Sequence, residues 1–259
     1  MIMTAARLAF TLLLTIAAVS GSVASAAAAD KYSVAVNNND QPFGYTDAKG
    51  ELTGFSVAIA RELCKVLKAE CTLVPVPFAE FVPGVSEGRF DFVVANVLRT
   101  AEREKLVDFT DHYWRSSSSF VGKAGVVREV SPAAFTGKRI SVQAGSQQER
   151  YLQRTYGGVA QILSFPTNIE RNAALIDGRA DLMLGSTVSH FAFLSTKDGQ
   201  GFELVGEPMF DQGLGGEIGL PIRKGRNDLR QRLNEAIATI VNNGTYSRIN
   251  NQYFPVSVY

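Results

Sequence analysis

Two short stretches of the chain echo each other ninety residues apart. Gly88-Arg89-Phe90-Asp91 runs into Phe92-Val93-Val94-Ala95, and Gly178-Arg179-Ala180-Asp181 runs into Leu182-Met183-Leu184-Gly185. Each is a turn, a charged pair and a four-residue apolar run of the length of a buried strand. Each follows an amphipathic stretch with helical spacing. A helix–turn–strand unit used twice at this interval predicts two lobes of similar build.

The rest of the pattern agrees. Residues 32–36 alternate as a strand, and Phe55, Ile59, Leu63 and Val66-Leu67 mark one face of a helix. Residues 72–76 form the next strand, residues 79–86 a short helix and residues 92–95 a third strand. This β-α-β-α-β order implies a mainly parallel sheet flanked by helices, an α/β fold. Ligands of such sheets sit beyond the carboxyl ends of the strands, here residues 37–43, 77–81 and 96–103. The small polar run Ser116-Ser117-Ser118-Ser119 marks a first crossing into a second α/β lobe. There residues 139–142 form a strand and Gly145-Ser146 opens a helix. Asn168 caps a helix bearing Ile169, Leu175 and Ile176, Gly178 ends it, and Ser186 or Thr187 caps the next. The chain returns through residues 217–222 to a helix with Leu229, Leu233, Ile237, Ile240 and Val241, which packs on the first lobe. The first lobe is therefore discontinuous, residues 30–120 and 221–259, and the second spans 121–220. The two crossings form a hinge that allows closure around a ligand.

Residues 1–29 read as a cleaved signal peptide: Arg7, an apolar run over residues 8–19, and small residues before Asp30. That run is too short to span a bilayer. An exported chain without a lipid anchor suits a periplasm. Lys and Arg number 26 against 25 Asp and Glu, so nothing in the charge calls for nucleic acid or an anionic membrane. The two cysteines, Cys64 and Cys71, read as a disulfide in an oxidising compartment. Two thiols fall short of a structural zinc site, and His112 and His190 lack partners at metal spacing. No nucleotide or nucleophile motif appears, so neither metal nor cofactor is expected. The run Gly213-Leu214-Gly215-Gly216 reads as a mobile loop.

After the first repeat come Arg99-Thr100-Ala101-Glu102-Arg103 and Val107-Asp108-Phe109-Thr110-Asp111. A Thr-capped helix with an arginine in its first turn suits a carboxylate, because a guanidinium grips it with two parallel bonds. Arg103 is the leading candidate for that role; Arg99 either enters the cleft or covers the sheet edge. Residues 88–113, Pro42-Phe43 followed by Gly50-Glu51-Leu52-Thr53-Gly54-Phe55, and Asn243-Gly244-Thr245-Tyr246 stand in one order along the chain. With these motifs the chain resembles the type II periplasmic solute-binding proteins, in the branch serving polar amino-acid ABC importers (solute-binding protein family 3).

The resemblance implies two lobes with a two-stranded hinge, a carboxylate-bearing small-molecule ligand, an inner-membrane ABC permease as partner, and a monomeric carrier without enzymatic activity. A similar short cysteine pair occurs in its histidine-binding and lysine/arginine/ornithine-binding members. Phe78 stands where the family places a wall against the ligand, and Asn96 and Leu98 where many relatives carry Ser or Thr. Asn37 and Asp40 lie on the first strand-end loop, with Asp40 at an expected aromatic position. Either that wall is absent or Phe43 or Tyr45 supplies it. Ser146, Gln147 and Gln148 suit the second half of the carboxylate clamp.

Ser186 is the main departure. Many amino-acid binders of the family carry an aspartate there for the ligand's ammonium. Asp40, Asp211 or Glu217 then substitutes, or the ligand lacks a free ammonium. The sequence also admits a cyclohexadienyl dehydratase-like enzyme, with Asp40 or Glu217 as general acid, and a signalling module that docks on a separate receptor.

Overall fold

The structure, a computed structural model, describes residues 29–255 and 257–259. All but the last residue of the expected leader therefore lies outside the described residues. Two five-stranded sheets form the frame. In the first, Lys31–Val36 pairs in parallel with Glu70–Pro75 on one side and Phe92–Val94 on the other. Gly216–Arg223 follows, antiparallel to Phe92–Val94, and Val107–Ser116 closes the edge. In the second, Arg139–Gln143 sits between parallel Gln161–Phe165 and Leu182–Ser186, followed by antiparallel Ser118–Lys123 and Phe202–Met209.

The repeated motif has one physical role in both sheets. Asp91 accepts the Ser33 backbone N–H through Oδ2 at 2.8 Å, and its own N–H donates to the Ser33 carbonyl at 2.8 Å. Asp181 makes the same pair of bonds with Arg139, at 2.8 and 2.8 Å. Each aspartate thus registers its strand against the lobe's first parallel neighbour. The turn before it needs a left-handed residue, which Gly88 (φ 79°) and Gly178 (φ 72°) supply.

Helix Phe55–Leu67 buries Phe55, Ile59, Leu63 and Leu67, and packs beside Asn227–Asn242, which buries Leu229, Leu233, Ile237 and Ile240. At their end an aromatic cluster seals the first core. Phe43 stacks on Trp114 at 4.6 Å between centroids, and Phe55 meets Phe254 edge-on at 5.0 Å. Each such ring contributes roughly 1.5–3 kcal/mol by burial. Phe120, Phe135 and Tyr156 play the same part in the second core. Cys64 and Cys71 are bonded, joining the end of helix Phe55–Leu67 to strand Glu70–Pro75. Closing so short a loop contributes about 2.5 kcal/mol in the chain-entropy model.

The chain leaves the first sheet after Ser116 and enters the second at Ser118. It returns between Met209 and Gly216, whereas the sequence reading drew the boundaries at 120 and 220. The crossings lie side by side: Ser116 pairs with Gly216, and Ser118 with Met209. Leu214, expected in a mobile loop, is buried in the second core, and its carbonyl accepts the Ser118 hydroxyl.

Three further departures have local causes. Asn39–Asp40, Gly44–Thr46 and Leu52–Thr53 form a small sheet that strands of two or three residues do not announce by periodicity. A last helix, Thr245–Tyr253, follows the left-handed turn at Gly244. Helix Asn168–Ile176 is capped by Thr167, not Asn168, through a capping box with Glu170.

Candidate functional site

Between the sheets lies a narrow cleft that is partly open to solvent. Its walls are strand ends, as expected for open α/β sheets. Asp40, Phe78, Asn96, Leu98 and Arg103 come from the first lobe, and Ser146, Gln147, Gln148 and Ser186 from the second. Asn37 does not line it. Its Oδ1 accepts the Asn39 N–H at 3.3 Å, and its carbonyl lies under Gly44, where a Cβ would approach it to 2.3 Å.

Arg103 is shaped by its own short turn. Thr100 caps Ala101–Glu104 by accepting the Arg103 N–H at 3.3 Å, which turns the side chain inward. Arg103 is 5% exposed, and its guanidinium lies over the Phe78 ring at 5.6 Å and donates to the Leu98 carbonyl at 2.9 Å. Among the described residues it has no carboxylate partner within ion-pair distance. Burial, and then the Arg150 charge, pull its pKa down to about 10, with Glu102 opposing. A buried cation in that state lacks an anion. Leu98 therefore helps by its carbonyl, which holds the arginine.

Several expectations change in detail. Arg99 pairs with Glu104 at 2.6 Å on the surface and does not line the cleft. The Ser146 hydroxyl caps helix Gln147–Tyr156 and donates to the Gln143 carbonyl at 2.7 Å, so it is already committed. Gln148 donates to Ser118 at 2.9 Å, while the Gln147 Nε2 is buried without a partner. Phe43 belongs to the aromatic core and Tyr45 does not line the cleft, so of the two alternatives the absent wall is the one found. Of the three candidate acids, Asp40 alone lines the cleft. Glu217 pairs with His112 and Arg115, and Asp211 lies on the return crossing.

The second lobe adds residues the sequence reading missed: Gln143, Asn168, Arg171, Gly185 and Ser189. Helix Asn168–Ile176 buries Leu175 as expected but exposes Ile169 and Ile176, and turns Asn168, Arg171 and Ala174 inward. Arg171 is 2% exposed. Its Nε and Nη2 donate to Asn172 Oδ1 at 3.1 and 2.9 Å, and its Nη1 lies against Gly185, where a Cβ would stand 2.2 Å away. Burial pulls its pKa down to about 10, with the Asp40 charge opposing. Burial raises the Asp40 carboxyl above its usual range, against Arg171 and hydrogen bonds from Ser189 and Asn168. Burial, then Arg171, hold His190 far below its ordinary value, so its ring is neutral. The T-x-x-E box at residues 167–170 was the available signal, since it fixes which residues of this helix face the sheet.

The lobes touch on both sides of the cleft. Ser189 donates to Asp40 at 3.2 Å, and Arg150 pairs with Glu102 across the rim. Buried polar atoms without partners remain at Gln143 Nε2, Gln147 Nε2, Asn168 Oδ1, Ser186 Oγ and His190 Nε2. Such atoms cost about 1–3 kcal/mol each when left unpaired, so the arrangement suits a polar guest.

Comparison with known proteins agrees with this architecture. The family model for bacterial extracellular solute-binding proteins, family 3, matches residues 32–256. The L-arginine-binding protein of Pseudomonas aeruginosa is 32% identical over 84% of this chain and 85% of its own. The histidine-binding periplasmic protein of Salmonella typhimurium is 30% identical over 98% of both. Among solved structures, an ancestral arginine-binding protein bound to glutamine superposes with a TM-score of 0.79 at 28% identity, covering 87% of this chain and 98% of that one. The chain belongs to the bacterial extracellular solute-binding proteins, family 3.

Proposed function

We propose that the chain captures a small carboxylate-bearing solute, an amino acid or a relative of one, between two closing lobes and delivers it to an inner-membrane ABC permease. One observation carries the reading. Arg103 is a buried guanidinium without a carboxylate partner among the described residues, set where the strands of both sheets end. A carboxylate supplies the missing charge and two parallel hydrogen bonds. Phe78 then walls one side, and Gln143 and Gln147 offer free amide donors from the opposite lobe.

In this reading residues 30–116 with 216–255 form one lobe and residues 118–209 the other. The side-by-side crossings act as the hinge, and Ser189–Asp40 and Arg150–Glu102 fasten the closed form. The carrier works as a monomer in the periplasm, after loss of its leader. Elimination chemistry would rest on Asp40 alone, since Glu217 lies outside the cleft.

The test is to isolate the protein from a periplasm without added ligand, unfold it, and identify what it releases by mass spectrometry. One small carboxylic acid per chain is expected, and none from Arg103→Ala isolated in parallel. A released solute without a carboxyl group would overturn the reading.

A further inference from the structure

The relatives above are named for arginine and histidine, yet the lining of this cleft is itself cationic. Its charged residues are Arg103, Arg171 and Asp40, so two positive charges and one negative leave +1. Protonation of Asp40 would make the lining more positive still. His190 beside it adds nothing, because its ring stays neutral. The rim pair Arg150–Glu102 cancels within itself.

Hydrogen-bonding capacity leans the same way. Arg103 donates one bond in the protein and Arg171 donates to a single amide oxygen, so both guanidiniums keep N–H groups to give. Gln143 and Gln147 add unpartnered amide donors, and Ser186 an unpartnered hydroxyl. Facing them, Asp40 already accepts from Ser189. Gly185 makes room for Arg171, since any Cβ there would strike its Nη1. Asn168 Oδ1 is an unpartnered acceptor in the lining, against the Gln143 and Gln147 amide donors and the two guanidiniums, so the cleft has two cationic donor ends and more unpartnered donors than acceptors.

We infer that Arg171 is a second anion anchor that sets the ligand class: a solute of net negative charge, with one acceptor group for Arg103 and another for Arg171. The inference rests on the reading that Arg103 holds a carboxylate, and it goes beyond it in assigning charge. A cationic amino acid would raise the enclosed charge from +1 to +2, a neutral zwitterion would leave it at +1, and a monoanion would bring it to 0. Uncompensated charge away from water is strongly disfavoured. An acidic amino acid satisfies the count, with its ammonium toward Asp40.

The experiment compares isosteric probes on protein stripped of its endogenous solute. L-Glutamate against L-glutamine, and L-aspartate against L-asparagine, differ by one charge at almost constant shape; L-arginine supplies the opposite sign. Calorimetry should show the acid of at least one pair binding tenfold or more tighter than its amide, with L-arginine weakest. Arg171→Met should remove that preference, while Arg171→Lys, which keeps the charge, should retain most of it. Circular dichroism checks that both variants fold. Tighter binding of an amide or of L-arginine, no binding by either acid, or an unchanged preference in Arg171→Met would each overturn the inference. If L-arginine binds tightly and Arg103→Ala abolishes that binding, the carboxylate reading stands and this inference alone falls.

Discussion

Arg103→Ala weakens binding of the natural ligand by about 2–5 kcal/mol, roughly thirty- to five-thousand-fold. The bound carboxylate would remain enclosed with no cation beside it, and a buried unpaired charge is the most costly state a site can hold. The unliganded protein should respond differently. Arg103 gives the fold one hydrogen bond, to the Leu98 carbonyl, and burial already works against its charge. The empty variant should therefore melt close to the parent. Calorimetry with the released solute, alongside thermal melts without it, separates the two effects. A loss below tenfold with folding intact would remove Arg103 from the clamp.

Ser186→Asp changes selectivity by about 1.5–3 kcal/mol, on the scale of a hydrogen bond to a charged group. The serine hydroxyl is buried without a partner and makes no capping bond at the start of helix Thr187–Leu194. An aspartate can cap that helix and bring the charge of the lining to zero. A zwitterion then no longer leaves an uncompensated charge behind. The ratio of L-glutamine to L-glutamate affinity should rise by ten- to a hundredfold. Calorimetry on the pair reads this directly, and an unchanged ratio would show that Ser186 does not face the ligand.

Much of this site could be read in the chain because its residues sit at strand ends that motifs mark. Arg103 follows a capped turn beside the first repeat. Asp40, Phe78 and Asn96 fall on strand-end stretches, Gln147 and Gln148 on a helix start at the cleft, and Ser186 at a position the family resemblance points to. The repeat itself was legible because one aspartate has the same backbone partners in both lobes. Arg171 was not legible. Its helix carries Ile169 and Ile176, whose apolar character points to burial, yet both are exposed while Asn168 and Arg171 turn inward beside Ala174 and Leu175. Hydrophobic periodicity assumes an apolar interior, and a ligand cleft is where that assumption fails. Asn37 shows the converse error: a strand-end position whose side chain folds back on its own loop. Ser146 stands in the right place, but capping occupies its hydroxyl.

The central claim is that two lobes close on a carboxylate held by Arg103. Small-angle scattering tests it most directly, using protein stripped of solute and the same protein after its released solute is returned. On this account the Ser189–Asp40 and Arg150–Glu102 contacts between the lobes form on closure. Returning the solute should therefore reduce the radius of gyration, and Arg103→Ala at the same solute concentration should keep the larger value. Identical radii with and without a saturating solute would contradict closure as the mode of binding.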